Sequence, residues 1–311
     1  MEMLATSAAL GSLYCLVAIV LVIHFRVSGF LNLSILGLLL LSPYLIAKII
    51  GEDTSILKFV FACLVSIVVV SILNFVIEVL IFNPITRLQG AMKVIASTCV
   101  LFIILTSIDI FWTEGVKLES PVGTKRVTLL HTDLLWIDLI TITVTLAILF
   151  GLLYFLNRTT VGNRFSAYAL DRNTAQAYGI SPMYAKVTLS VITGLVVSSA
   201  GVLLASPGSP RSGVISVIFY ALIALSPVII SRHSDLTVCL IGAFVVAFFQ
   251  TYTSANIESL NKMFQNVASM LSITTDVTLG PTFSDRFIPF FIAIIILVVV
   301  PKAWIRDDIN G

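Results

Sequence analysis

LKFVFACLVSIVVVSILNFVIEVLIFN, residues 57–83, carries no charge between Lys58 and Glu78. About 20 apolar residues in a helix, rising 1.5 Å each, cross the hydrocarbon core of a bilayer. Several other runs of this chain reach the same length. Residues are 58% hydrophobic and 11% charged, and the mean hydropathy is +1.08. A water-exposed domain carries about a quarter charged residues, and an outer-membrane barrel would show alternating segments of about ten. The sequence therefore predicts an all-α, polytopic integral membrane protein forming one transmembrane domain over residues 1–311.

Reading outward, about nine spans (8–10) are expected, at 4–24, 30–50, 57–83, 93–113, 134–157, 184–205, 214–231, 236–255 and 286–304. The second holds Asn32, Ser34, Gly37, Ser42 and Pro43 and is expected to be broken, since irregular backbone at membrane depth survives where protein or a water-filled cavity covers it. Basic residues concentrate in short loops on one side: Arg26; Arg87 and Lys93; Arg158, Arg164, Arg172 and Lys186; Arg232; Lys302 and Arg306. Such loops stay cytoplasmic, which puts the N-terminus outside and the C-terminus inside. In the outer segment 256–285, Leu260, Met263, Phe264, Val267 and Leu271 recur at helical spacing. That pattern suits an amphipathic helix at the interface, or a contact for an external partner.

Some chemistries find no support. The net charge of +2 points to no nucleic-acid partner. Cys15, Cys63, Cys99 and Cys239 lie singly in apolar runs, without disulfide or zinc spacing. His24, His131 and His233 are isolated at span ends or in loops and read as interfacial side chains. No GxxxxGK[ST] loop is present to cradle ATP, so the chain is expected not to be an enzyme. Ionisable groups inside a bilayer cost roughly 2.5–3.5 kcal/mol each, which makes Glu78 a candidate for a path or inter-helix role. Asn32, Ser34 and Tyr44 are candidates for a solute path, with plain packing as the alternative. Gly194 and Ser198, extended by Ser199, Ala200 and Gly201, allow close helix contact.

One polar stretch stands out, VGNRFSAYALDRNTAQAYGISP at 161–182, within a loop of about 158–183 on the inner side. It is expected to be helical, with Gly179 as C-cap and Pro182 as stop. A single helix would align Ala167, Asp171, Ala175 and Gly179 on one small-residue face. That face can approach another surface closely; an ordinary solvated loop is the alternative.

The arrangement Gly162, Ala167, Ala169, Asp171, Ala175, Gly179–Ile180 resembles the coupling loop of bacterial ABC importer permeases, in the branched-chain amino acid (LivH/LivM-like) family. LGSLYCLVAI, GFLNLSILGLLLLSPYLI with Asn32 and Tyr44, Glu78–Pro84–Arg87, Thr113–Glu114–Gly115, VITGLVVSSAGVLLA and LVVVP extend the likeness along nearly the whole chain. The resemblance implies a cytoplasmic segment docking on a separate ATPase subunit that binds ATP and Mg, with Gly162, Arg164, Ala167, Asp171, Ala175 and Gly179 as docking residues. It further implies a second permease copy or a related permease, an extracytoplasmic solute-binding protein, and a bacterial inner-membrane location. Departures bear on the solute: NLSILG at 32–37 replaces the family's Asn-Phe-Ala-His-Gly-Glu, SRHSDLTV at 231–238 replaces a glycine-rich turn, and Ser166 stands where an Arg is usual. Small amino acids lead by resemblance; sugars, nucleosides and other small solutes stay open. So does an ion-driven secondary transporter, which would need polar groups deep in the membrane.

Overall fold

A computed structural model describes residues 2–51, 55–87, 89–112, 126–129, 132–204, 222–231, 236–259, 261–262, 291 and 294–295. Ten helices are labelled within them: α1 (Glu2–Ser28), α2 (Ser34–Ile50), α3 (Ile56–Ile77), α4 (Gly90–Phe111), α5 (Trp136–Arg158), α6 (Thr160–Leu170), α7 (Arg172–Ala177), α8 (Pro182–Leu204), α9 (Leu225–Ile230) and α10 (Leu236–Ala255). Six stretches are long and apolar enough to cross a membrane, and Ser34–Ile50 is a shorter apolar helix. Helix ends follow the expected spans within a few residues. Of the expected span 214–231 only 222–231 is described. The spans and segments at 286–304 and 256–285, and the Thr113–Glu114–Gly115 motif, lie wholly or largely outside the described residues. A small antiparallel ribbon, β1 (Arg126–Leu129) with β2 (Thr132–Leu135), precedes α5 and pairs Arg126 with Leu135.

Helix α1 is the central post. In its most apolar stretch 89% is buried, against 28%, 22% and 17% for those of α3, α4 and α5. It packs on α10, α8, α5 and α9, while α2 lies among α3, α4 and α8. The outer helices turn Leu57, Phe61, Leu64, Phe102, Ile103, Phe150 and Tyr154 outward. An apolar surface of this extent suits hydrocarbon and not water.

The expected break in the second span falls before the helix and not within it. Gly29 takes φ +74° after α1, and Ser34–Ile50 then runs continuously past Pro43. Proline has no N–H for the carbonyl four residues back, Leu39, and neighbouring helices cover the defect. Gly201 of α8 lies so close that a Cβ there would sit 2.6 Å from the Leu39 oxygen and 2.6 Å from the Ser42 Cβ. Ser66 of α3 donates to the Ser42 carbonyl at 3.2 Å. Pro43 is thus tolerated because α3 and α8 close over it.

The small-residue step on α8 is a packing seam. A Cβ at Gly194 would meet the Ser71 Cα at 2.9 Å, and one turn earlier Asn74 donates to the Ser190 carbonyl at 2.8 Å. Replacing Gly201 with valine should force α2 and α8 apart and cost about 1–3 kcal/mol, seen as a lower unfolding temperature in detergent. Gly151→Ala, where nothing lies within 4 Å, should leave that temperature unchanged or raise it.

Candidate functional site

The polar stretch between α5 and α8 forms two short capped helices, not one. Thr159 stops α5 by donating to the Phe155 carbonyl at 2.6 Å and starts α6 by accepting from the Gly162 N–H at 2.9 Å. A Cβ at Gly162 would lie 2.0 Å from the Phe155 oxygen, so this tight corner requires glycine. Gly162 is therefore a backbone requirement of the turn, and it is buried.

Asp171 interrupts the helix that its neighbours would continue. Its backbone is extended (φ −145°, ψ 108°), ending α6 and capping α7. The carboxylate accepts from the N–H groups of Asn173 at 2.9 Å and Thr174 at 3.2 Å, and from the Thr174 hydroxyl. Aspartate is among the best N-caps because it satisfies amides at the helix start that have no intrahelical acceptor. This local reward outweighs continuation of the helix. The expected single face is corrected accordingly: Ala167 lies on α6, Ala175 on α7, and Asp171 at the joint between them.

Gly179 closes α7 as expected. It takes φ +83°, Ile180 N–H bonds to the Ala175 carbonyl and Gly179 N–H to the Gln176 carbonyl, each at 3.0 Å. That is the six-to-one and five-to-two pattern of a Schellman cap. Phe165, Tyr168 and Ala175 are buried and hold the segment to the bundle, whereas Leu170 and Tyr178 are 85% and 84% exposed. Arg164 and Ala167 are exposed as well. A capped pair of helices thus leaves two large apolar side chains exposed.

This segment sits against the end of α1. Arg172 Nη2 lies 3.4 Å from the Arg26 carbonyl oxygen. A Cβ at Gly29 would stand 2.9 Å from the same guanidinium nitrogen, so glycine here serves both the left-handed turn and the approach of Arg172.

Just inside that contact lies a buried polar cluster that draws together three of the four path candidates. Asn32, Ser34 and Glu78 are 1%, 0% and 5% exposed. Asn32 Oδ1 accepts from the Ser34 hydroxyl at 2.6 Å and from its N–H at 3.1 Å, and Asn32 Nδ2 lies 3.2 Å from His24 Nε2. His24 Nε2 is in turn 3.4 Å from Glu78 Oε2. Glu78 begins a single π-helical turn, Glu78–Phe82, closed by Asn83 N–H on the Glu78 carbonyl at 2.9 Å. Single π-helical turns are frequent at functional sites. Phe30 covers His24 edge-on at 5.3 Å, touches Phe82 at 5.5 Å and has Lys93 Nζ 5.9 Å from its ring. Beside them Lys186 donates to Asn83 Oδ1 at 2.9 Å.

The cluster cannot satisfy every contact at once. Asn32 Oδ1 already accepts twice, so its amide nitrogen faces His24 as a donor. A single imidazole nitrogen cannot accept from Asn32 while donating to Glu78. Nor can His24 turn its other nitrogen to advantage, since buried Nδ1 has no partner among the described residues.

His24, read from the sequence as interfacial, is 1% exposed and central to this site. The signal that could have found it was Glu78 itself, an acid in an apolar span that needs a partner. Tyr44 does not join the group: ten residues along α2 from Ser34, about 15 Å away by helical rise, it packs against Trp112 at 5.9 Å. His131 and His233 lie outside the described residues. Among the described residues no three His, Cys, Asp or Glu side chains group as a metal site.

Hydrogen bonds from Thr174, its hydroxyl first and then its N–H, hold the Asp171 carboxyl below its ordinary value. A depressed carboxyl stabilises the fold above its unfolded pKa, and that contribution is lost as pH falls through the folded pKa. Protection of the Asn173 and Thr174 amides, measured against their intrinsic exchange rates, should therefore fall only at pH below the usual carboxylate range. Asp171→Asn, which keeps a capping oxygen, should remove this acid step.

No curated protein gives a significant match to the chain. Among solved structures, PsaBC from Streptococcus pneumoniae in complex with Fab is similar at a TM-score of 0.49 and 15% sequence identity, over 97% of this chain and 91% of that one. A family model described as the permease component of a branched-chain amino acid transport system matches residues 3–275. That match spans α1 through α10, and the chain belongs to this family of transport permeases.

Proposed function

We propose that this protein is the membrane-spanning subunit of an ABC importer in a bacterial cytoplasmic membrane. It carries a small polar solute, a branched-chain or other small amino acid by family, with energy from a separate ATPase subunit that binds ATP and Mg. The N-terminus faces outward and the segment 158–183 faces the cytoplasm. The permease pairs with a second copy or a related permease, and an extracytoplasmic solute-binding protein delivers the solute.

One observation carries the coupling role: α6 and α7 are capped at their ends and pinned by Phe165, Tyr168 and Ala175, yet leave Leu170 and Tyr178 almost fully exposed. Tyrosine is among the residues enriched as interface anchors, and Leu170 adds exposed apolar area on the same segment. Arg164, Ala167 and Gly179 lie on the same segment and complete the proposed contact. Asp171 and Ala175 keep its shape, and Gly162 sets its corner. In this reading Asn32, Ser34 and Glu78 close the inner end of the solute path, while Tyr44 lies in its outer half.

Tagged protein drawn from its native membrane in mild detergent should bring with it a P-loop ATPase. Leu170→Asp with Tyr178→Asp should lower that recovery about tenfold or more, the scale of losing an interface anchor, while the permease stays inserted. Undiminished recovery from the double variant would remove the docking role. An intact permease with no ATPase under several detergents would favour an ion-driven transporter.

A further inference from the structure

We propose that Arg172 is a positioning residue that passes motion of the coupling segment to α1, and through it to the His24–Asn32–Glu78 cluster. The proposal rests on the coupling role above and assigns the mechanical link that role needs.

Arg172 is the first residue of α7, directly after the Asp171 cap, so its backbone moves with that rigid element. Its guanidinium reaches the Arg26 carbonyl in the last turn of α1, where the helix dipole favours a cation. From that contact to the cluster the chain is short. His24 precedes Arg26 by two residues; Gly29, Phe30 and Asn32 follow it. Phe30 lies against His24, Phe82 and Lys93, so a shift at the end of α1 moves the ring over the cluster.

The cluster is suited to receive such a shift. Because His24 Nε2 cannot serve Asn32 and Glu78 together, two arrangements compete: Nε2–H donating to Glu78, or Nε2 accepting from Asn32. The first joins α1 to the π turn after α3; the second joins α1 to the start of α2. A displacement of α1 chooses between them. Two discrete arrangements biased from a distance are what a physical coupling route needs.

The experiment uses the permease assembled with its ATPase in proteoliposomes, measuring solute moved per ATP hydrolysed. Arg172→Gln should keep the ATPase bound and hydrolysing within about twofold of wild type while lowering transport per ATP about tenfold, within the range found along coupling routes. Arg172→Lys, which keeps the cation, should restore at least about half of the ratio, a rescue that follows from the helix-end charge. Glu78→Gln should lower the ratio in the same direction, and its combination with Arg172→Gln should add little, since coupled sites are not additive. Unfolding temperature in detergent checks that each variant is folded. A wild-type ratio in Arg172→Gln, loss of ATPase binding in that variant, or full additivity with Glu78→Gln would each overturn the proposal. A wild-type permease that neither binds nor stimulates an ATPase would instead overturn the coupling role itself.

Discussion

Hydrocarbon offers no hydrogen bonds, so each polar group taken to membrane depth must find its partner inside the protein. Much of this structure follows from that constraint. Asn74 bonds the Ser190 backbone and ties α3 to α8; Tyr14 donates to Gln250 at 2.8 Å and ties α1 to α10. Ser66 reaches the Ser42 carbonyl beside Pro43. These bonds choose neighbours among helices whose apolar faces would fit many partners, because lipid and leucine are equally apolar and burial alone discriminates little. Close approach at Gly194 and Gly201 supplies the dispersion contact that holds the chosen pairs.

The segment from Thr159 to Ser181 obeys a different rule. Many of its residues are exposed, and its shape depends on local caps. Thr159, Asp171 and Gly179 each solve one end. Their placement turns the chain from α5 to α8 through two short helices and brings Arg172 onto the last turn of α1. The two regimes meet at Gly29, where the end of a buried helix touches a surface element.

How legible this was varied by element. Hydropathy read well those spans that are described, and the C-cap at Gly179 followed from its place after a helical run. The break at Asp171 did not, because alanines and Gln176 on either side favour continuous helix and the capping bonds win only in the folded geometry. Pro43 suggested a broken second span. It is accommodated because Gly201 and Ser66, remote in sequence, cover the site. The sequence marks Asn32, Ser34 and Glu78 as polar groups at membrane depth but carries no sign that they share one cluster. His24 is not legible in this way, because an isolated histidine at a span end looks interfacial until its neighbour across 54 residues is known.

The sequence by itself determined the membrane class, most helix boundaries and the one polar segment that differs from the rest, since these depend on local composition and periodicity. Only the tertiary structure decided that α1 is the central post. Like α3, it is long and apolar enough to cross a membrane, and hydropathy cannot tell a helix facing lipid from one facing protein. It also decided that His24, Asn32 and Glu78 form one cluster, and that Arg172 reaches α1. Those contacts join elements far apart in the chain, and nothing short of packing the helices together specifies which polar groups will meet.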